Sequence, residues 1–206
     1  MTAGSEFTSI SLTSTYLLDG LKDPANQEVW KSYVDRYRPL LVRYGVRLGL
    51  PESDADDAAQ QTLVEFYTAF RAGKYDRDRG RLREWLFGIA RNQALNQRRK
   101  RATQGARNAA DRQASDSDIA AIADEQRDSA IWEEEWRAAL LRQCMAEVRY
   151  EVQPGTFEAF ELFAVQGWPA ERVAAHLKIT PNAVFGAKRR ILRRIRELLP
   201  NMERTW

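Results

Sequence analysis

The sequence has little cysteine and little histidine: Cys144 and His176 are the only residues of these two types among 206. One cysteine cannot form an internal disulfide, and one cysteine with one histidine cannot supply the four ligands of a structural zinc site. We therefore expect a chain that folds in a reducing compartment and uses no metal and no other cofactor.

Long apolar runs are also missing. No stretch approaches the roughly 18 uninterrupted apolar residues of a membrane-spanning helix, and the N-terminus lacks the basic-then-apolar order of a secretory signal. We expect a cytoplasmic protein without membrane insertion. The sequence also has no glycine-rich phosphate loop and no metal-ligand spacing, so we predict no enzyme activity and no catalytic residue.

Charge is distributed unevenly along the chain. The formal net charge is only +3, but basic residues concentrate at 91–107 and 188–196, whereas 116–135 is strongly acidic, with Arg127 its only cation. Two separated basic patches indicate two contact surfaces for one polyanion, such as a nucleic acid.

Apolar residues recur at steps of three and four, which predicts helices. One stripe runs from Trp30 to Leu48 and ends at the turn around Gly49 and Pro51. A second helix is predicted to begin with an acidic first turn at Asp54, to carry a stripe from Ala59 to Phe70, and to end around Gly73. A third begins at Trp85. Sustained alternation of period two is missing, so the sequence predicts an all-α fold.

Composition divides the chain into four segments. Residues 1–15 are predicted to be disordered, and residues 16–102 to form a first helical domain. Residues 103–130 have almost no large apolar side chain, which predicts a flexible linker. Helical pattern resumes at Ile131 with Trp132 and Trp136, so residues 131–200 are predicted to form a second helical domain.

The second domain contains a candidate helix-turn-helix. Ala174 is small enough to lie where two helices cross, and Ile179 and Val184 are expected in the shared core. Thr180 followed by Pro181 is a strong helix start, because the hydroxyl can cap an amide and proline suits the first helical position. Lys178 departs from the pattern, since it occupies the turn position where glycine is usual and a left-handed backbone would cost about 1 kcal/mol.

The helix that begins at Pro181 is predicted to be the recognition helix, with its N-terminal side chains at base edges and its flanking cations at phosphates. The alternative is an ordinary surface helix with a solvated cationic face. His176 lies inside the motif and is expected to be structural or exposed. The candidate DNA-binding residues here are Thr180, Asn182, Phe185, Gly186, Lys188, Arg189, Arg190 and Arg193.

The first domain adds an independent signal. The segment that starts at Asp54, DADDAAQQTLVEFY, resembles the region 2.2 helix of extracytoplasmic-function sigma factors, which belong to the sigma-70 superfamily. In that family this helix docks on the beta-prime subunit of RNA polymerase. The resemblance implies that core polymerase is bound by Asp54, Asp57, Gln60, Gln61 and Glu65.

The segment from Leu82 to Asn92, LREWLFGIARN, is similar to the family motif that opens the helix facing the minus-ten promoter element. Trp85 and Ile89 are expected in the core, whereas the polar Asn92 is the better functional candidate. The loop before this segment corresponds to the one that captures a flipped base, although any single arginine in it could equally be solvated. The implied minus-ten DNA-binding residues are Tyr75, Arg79, Arg83, Arg91, Asn92, Asn96, Arg98 and Arg99.

The second domain resembles region 4 of the same family, which reads the minus-thirty-five element. Phe185, Gly186 and Ala187 replace the more usual polar and basic residues, so the promoter sequence does not follow from the resemblance. The implied partners are the beta-prime and beta subunits of core polymerase, promoter DNA and an anti-sigma protein. The alternative is a helix-turn-helix regulator with an N-terminal sensor or dimerisation domain.

Overall fold

The computed structural model describes residues 18–23, 25–76, 81–106 and 118–205, without the side chains of residues 104–106, 118–123 and 204–205. All regular elements in these ranges are helical and no strand occurs in them, so the predicted all-α fold is confirmed. The predicted disordered segment 1–15 and the candidate Arg79 lie outside these residues. Among the helices described, none combines the length and the apolar character needed to cross a membrane.

Seven α-helices follow one another along the described chain. They are α1 (Gln27–Arg47), α2 (Glu52–Arg71), α3 (Leu82–Ala106), α4 (Asp118–Glu151), α5 (Pro154–Phe160), α6 (Ala170–Leu177) and α7 (Pro181–Thr205), and a π-helical turn (Glu161–Val165) continues α5. The ends of α1 and α2 lie within three residues of the predicted ones. The described residues form two compact units, one up to Ala138 and one from Ala139 onward, called below the N-terminal and C-terminal units.

The N-terminal unit is built around an aromatic stripe on α1. Its buried side chains are Val29, Tyr33, Tyr37, Leu40, Leu41 and Tyr44. Tyr33 stacks on Phe66 of α2, with 4.9 Å between the ring centroids. Nearer the turn, a β-carbon placed on Gly45 would lie only 3.0 Å from Cβ of Ala55, so the absence of a side chain lets the two helices approach closely.

The first half of α4 also belongs to the N-terminal unit. The Trp132 ring packs edge-on against Tyr44, with centroids 5.2 Å apart, and lies 5.6 Å from the ring of Phe87. Trp136 stacks on Tyr37 at 6.1 Å. The stripe of tryptophans on α4 therefore covers the aromatic side chains of α1 and α3.

The structure describes helix at both ends of residues 103–130, the segment predicted to be a flexible linker. The third helix continues to Ala106, and α4 already begins at Asp118, well before the predicted start at Ile131. Alanine is the commonest residue of this stretch and, like its glutamines and arginines, it favours helix. The boundary between the units falls after Ala138, inside α4, because Trp132 and Trp136 are buried in the N-terminal unit.

The C-terminal unit contains the predicted helix-turn-helix, formed by α6 and α7. Its core cluster consists of Ala159, Leu162, Ala170, Val173, Ala174, Val184 and Ala187. The turn between the helices has Lys178 in the left-handed conformation, with φ 54°. As predicted, Thr180 caps α7: its hydroxyl oxygen accepts a hydrogen bond of 3.2 Å from the amide of Ala183.

The prediction for Ile179 is wrong. Its side chain is 38% exposed, whereas Val184 is fully buried as expected. The amide of Ile179 donates to the carbonyl of Ala174, which is the capping bond that follows a left-handed residue at a helix C-terminus. The position of Ile179 is therefore set by the cap of α6 and not by the shared core.

Candidate nucleic-acid interface

One face of α2 carries the side chains predicted to bind core polymerase. Asp57, Gln60, Gln61 and Glu65 are exposed, and their spacing of three and four residues places them on one side of the helix. Asp54 is half-buried and its carboxylate lies 3.1 Å from the guanidinium of Arg101. The face is therefore available to a partner over most of its length, while Asp54 also ties α2 to α3.

Sequence reasoning missed Val64, which lies in the middle of the same face. It is 52% exposed, and Glu65 beside it accepts a hydrogen bond of 2.5 Å from Gln93 of α3. A valine on the solvent side of a helix rich in polar residues adds apolar contact area to the surface. The sequence could have revealed Val64, because it lies one helical turn after Gln60 and Gln61 and therefore on the same side of α2.

The polar residues of α3 separate into an exposed and an engaged set. Asn92, Asn96 and Arg99 are exposed at positions i, i+4 and i+7, so they form a stripe along the helix, and Arg98 is exposed beside it. These side chains can reach a ligand without rearrangement of the unit.

Two of the arginines predicted to bind minus-ten DNA, Arg83 and Arg91, form ion pairs inside the N-terminal unit. Arg83 forms an ion pair with Glu133, and its guanidinium lies over the Trp136 ring, 5.5 Å from the centroid. Arg91 donates from Nε to the carboxylate of Asp128 at 3.0 Å, and Asp128 is almost fully buried. In this structure both arginines hold α4 against the unit.

Tyr75 is half-buried and packed against aromatic neighbours. Its ring stacks on Trp85, with 5.1 Å between centroids and planes 19° apart, and it lies 6.1 Å from Phe70. Trp85 in turn packs on Phe66 at 4.9 Å. The tyrosine thus extends an aromatic stack that begins in the core and reaches the loop after α2, while Arg79 of the same loop lies outside the described residues.

The phenol of Tyr44 has a pKa that its surroundings in the N-terminal unit shift. Burial raises the pKa of its phenol above the usual range, and the nearby Asp128 carboxylate raises it further. The phenol therefore remains neutral and contributes to the core as a ring.

Among the residues that the structure describes, no three metal-binding side chains lie close enough together to hold an ion.

The predicted recognition helix, α7, presents a mixed surface. Thr180, Asn182, Phe185, Arg189, Arg190 and Arg193 are exposed, and Gly186 and Lys188 are half-buried. The ammonium of Lys188 lies over the ring of Phe163, 5.2 Å from its centroid, and Arg193 lies 3.9 Å from Glu197. Most of the predicted side chains of α7 are therefore free to approach the edge of a duplex.

A comparison with protein families finds a match for part of the N-terminal unit. Residues 33–104, which cover most of α1, all of α2 and nearly all of α3, match the family described as Sigma-70 region 2. Over these residues the chain is similar to sigma-70 region 2, and the predicted resemblance of the first domain to this region is confirmed.

Two further comparisons add little. A solved structure described as CnrH in complex with the cytosolic domain of CnrY is 23% identical, covers 90% of this chain and 96% of that chain, and gives a TM-score of 0.34. At that score the likeness carries no argument about fold or function. No curated protein matches the sequence.

Proposed function

We propose that this chain is a sigma factor of the extracytoplasmic-function type, which binds core RNA polymerase in the cytoplasm and directs promoter recognition and melting. The observation that carries the proposal is the exposed surface of the helices that match region 2. Asp57, Gln60, Gln61 and Glu65 line one of these helices and Asn92, Asn96 and Arg99 line another.

Core binding is assigned to the exposed face of α2. Its polar side chains and the apolar Val64 together suit a protein partner, because protein interfaces combine apolar contact with hydrogen bonds at the rim. By the resemblance of this helix to region 2.2, the partner is the beta-prime subunit. The beta subunit is the expected partner of the C-terminal unit.

Recognition of the minus-ten element is assigned to the stripe on α3 and the aromatic stack next to it. Amide side chains can hydrogen-bond an unstacked base, and a base that stacks on an aromatic ring gains about 1 to 3 kcal/mol, which offsets part of the cost of unstacking. Tyr75, at the outer end of the stack on Trp85, is the ring nearest the loop. We assign it to a flipped base.

The C-terminal unit is assigned to duplex DNA at the minus-thirty-five element. Asn182 and Arg189 lie on the exposed side of α7, where a recognition helix reads base edges, and Arg190 and Arg193 can contact phosphates. The match of residues 33–104 to sigma-70 region 2 favours this proposal over the alternative, a regulator with an N-terminal sensor or dimerisation domain. An anti-sigma protein is a further proposed partner.

The test is transcription from genomic fragments by purified core polymerase with and without the full chain. We expect defined start sites only when the chain is present. In gel filtration with core, the variant Asp57→Lys should fail to co-elute, whereas Asp35→Lys, the same charge change at an exposed position of α1, should co-elute like the wild type. If the wild-type chain neither co-elutes nor selects start sites, the proposal is wrong and the regulator becomes the better hypothesis.

A further inference from the structure

The recognition helix exposes a large apolar side chain where polar side chains would be expected. Phe185 is 47% exposed in the second turn of α7, with Asn182 one turn before it and Arg189 one turn after it on the same side. An exposed phenylalanine gains free energy only when a partner covers it. Its place among candidate base-reading residues makes DNA the relevant partner.

The ring of Phe185 is held in place by a neighbour of the C-terminal unit. Phe163, from the π-helical turn, packs against it at right angles, with ring centroids 5.3 Å apart and planes 89° apart. Such edge-to-face contacts favour one orientation of the ring. The exposed part of the ring is therefore presented to solvent in a fixed position, and little order has to be gained on binding.

The backbone next to Phe185 is open. A β-carbon added to Gly186 would meet no other atom within 4 Å, so at this position the helix surface carries no side chain and has free space around it. A ligand can come close to the backbone there, beside the phenylalanine ring. The exposed ring of Phe185 and the bare backbone at Gly186 therefore lie side by side on α7.

The chemistry of the major groove limits which bases the Phe185 ring can recognise. A phenyl ring neither donates nor accepts a conventional hydrogen bond, so it cannot use the donor and acceptor groups of guanine, cytosine or adenine. Thymine is the only standard base with an apolar group in the major groove, its 5-methyl, and phenylalanine is a suitable contact for that group.

We infer that Phe185 is a specificity-determining residue that selects thymine in the upstream promoter element. The inference rests on the proposed function in one respect, because it takes α7 as the helix that reads duplex DNA. Asn182 and Arg189 would supply the hydrogen bonds to neighbouring bases, while Phe185 would read a methyl group. A neighbouring guanine or adenine is thus recognised through hydrogen bonds, and the thymine through apolar contact with its methyl group.

The experiment removes the methyl group alone. Duplexes are first selected from a random pool by the full chain, once with core polymerase and once without it. Each thymine of the selected duplex is then replaced by deoxyuridine, which keeps every hydrogen-bonding group, and binding is measured by fluorescence anisotropy. We expect one position at which this replacement weakens binding about fourfold, as for one buried methyl group.

Variants identify the residue responsible. Phe185→Ala should bind the thymine and uracil duplexes equally, whereas Phe185→Leu should keep part of the difference. Val165→Ala is the matched control, because Val165 is 58% exposed in the same unit but lies outside α7, and it should keep the full difference. Arg189→Ala should bind both duplexes more weakly but should keep the difference in affinity between the thymine and uracil duplexes.

The outcomes separate the two proposals. If the chain directs transcription but no thymine responds to loss of its methyl group, or if Phe185→Ala keeps the response, the inference is wrong and the proposed function stands. If Phe185→Ala instead weakens binding to core polymerase with unchanged DNA preference, the ring belongs to a protein interface and the inference is again wrong. If no duplex is enriched with or without core and no start site is selected, both proposals fail.

Discussion

Arg91 donates from Nε to Oδ2 of Asp128 over 3.0 Å, and the aspartate is almost fully buried. The two residues are 37 positions apart in the sequence. The pair joins the middle of α3 to the first half of α4, next to the neutral phenol of Tyr44. It links α3, which lies within the match to region 2, to a segment that lies outside that match.

Removal of one partner of this pair should destabilise the N-terminal unit. In Arg91→Ala the Asp128 carboxylate is left buried without its cation, and we expect a loss of up to about 3 kcal/mol in the free energy of unfolding. Replacing both residues by leucine should cost less than Arg91→Ala alone. Urea denaturation followed by circular dichroism measures both. Arg137→Ala, at an exposed arginine of α4, should change stability by under about 0.5 kcal/mol.

Two helical glycines should respond to alanine in opposite directions. At Gly45 the new methyl would lie 3.0 Å from Cβ and 3.2 Å from Cα of Ala55, so α1 and α2 must separate, and we expect a net loss of about 1 kcal/mol or more. At Gly88 the methyl meets nothing, so Gly88→Ala should stabilise α3 by up to about 1 kcal/mol through helix propensity. Thermal unfolding of the two variants tests the contrast, and a stabilised Gly45→Ala would contradict the close approach.

Lys178→Gly should stabilise the C-terminal unit. The lysine has φ 54°, a conformation that costs a residue with a side chain about 1 kcal/mol relative to glycine. Lys178→Ala is the control, because alanine keeps the β-carbon and should give no comparable gain. Hydrogen exchange of the α6 and α7 amides reports on this unit directly. Equal protection in the two variants would show that the turn is not strained.

The stability of the C-terminal unit should depend on pH through Glu151. Its carboxylate accepts two hydrogen bonds from Arg194, of 2.5 and 2.8 Å, which lower the pKa of Glu151 below its ordinary 4.5. A lowered pKa means that the stabilisation is fully present above pH 4.5 and is lost as the pH falls through the lower folded value. Solvent screens the pair, so we expect at most about 1 kcal/mol.

The comparison for this effect is between the wild type and Glu151→Gln. Their difference in free energy of unfolding should be constant near neutral pH and should shrink toward zero in acid. The exposed Glu158→Gln provides the control. A difference that grows on acidification would have the wrong sign for a carboxylate stabilised in its charged form.

Asn92→Ala should impair promoter melting while core binding stays intact. Asn92 is exposed on α3 and lies outside the α2 face assigned to core polymerase. Permanganate reactivity of unpaired thymines measures melting, and gel filtration with core measures binding. Gln126→Ala removes an exposed amide from α4 and should melt normally. Loss of core binding in Asn92→Ala would move this residue to the polymerase interface.

The sequence predicts an element well when the residues that order it are close together. The stripes of α1 and α2 repeat within each helix, so their ends were predicted within three residues. The cap of α7 was predicted from the adjacent Thr180 and Pro181 for the same reason. The family resemblance was also found in continuous segments, and the match to region 2 confirms it for the first domain.

The failures concern interactions between distant parts of the chain. Helical periodicity correctly grouped Trp132 with Trp136, but it contains no information on which surface they cover, so they were assigned to the wrong unit. Likewise, nothing local in the sequence reveals that Glu133 and Asp128 form ion pairs with Arg83 and Arg91, whose assignment to minus-ten DNA stays a prediction. Among residues 124–130, whose side chains the structure describes, Asp128 is buried, and composition does not reveal that its partner Arg91 lies on another helix.

The boundary inside α4 determines how this protein can be divided for expression. A fragment that ends in the stretch 103–130 would leave the rings of Tyr37, Tyr44 and Phe87 without the tryptophans that cover them, and the uncovered aromatic surface would favour aggregation. A fragment that begins at residue 131 would carry Trp132 and Trp136 with nothing to pack against. The cut that respects both units falls after Ala138, in the middle of a continuous helix.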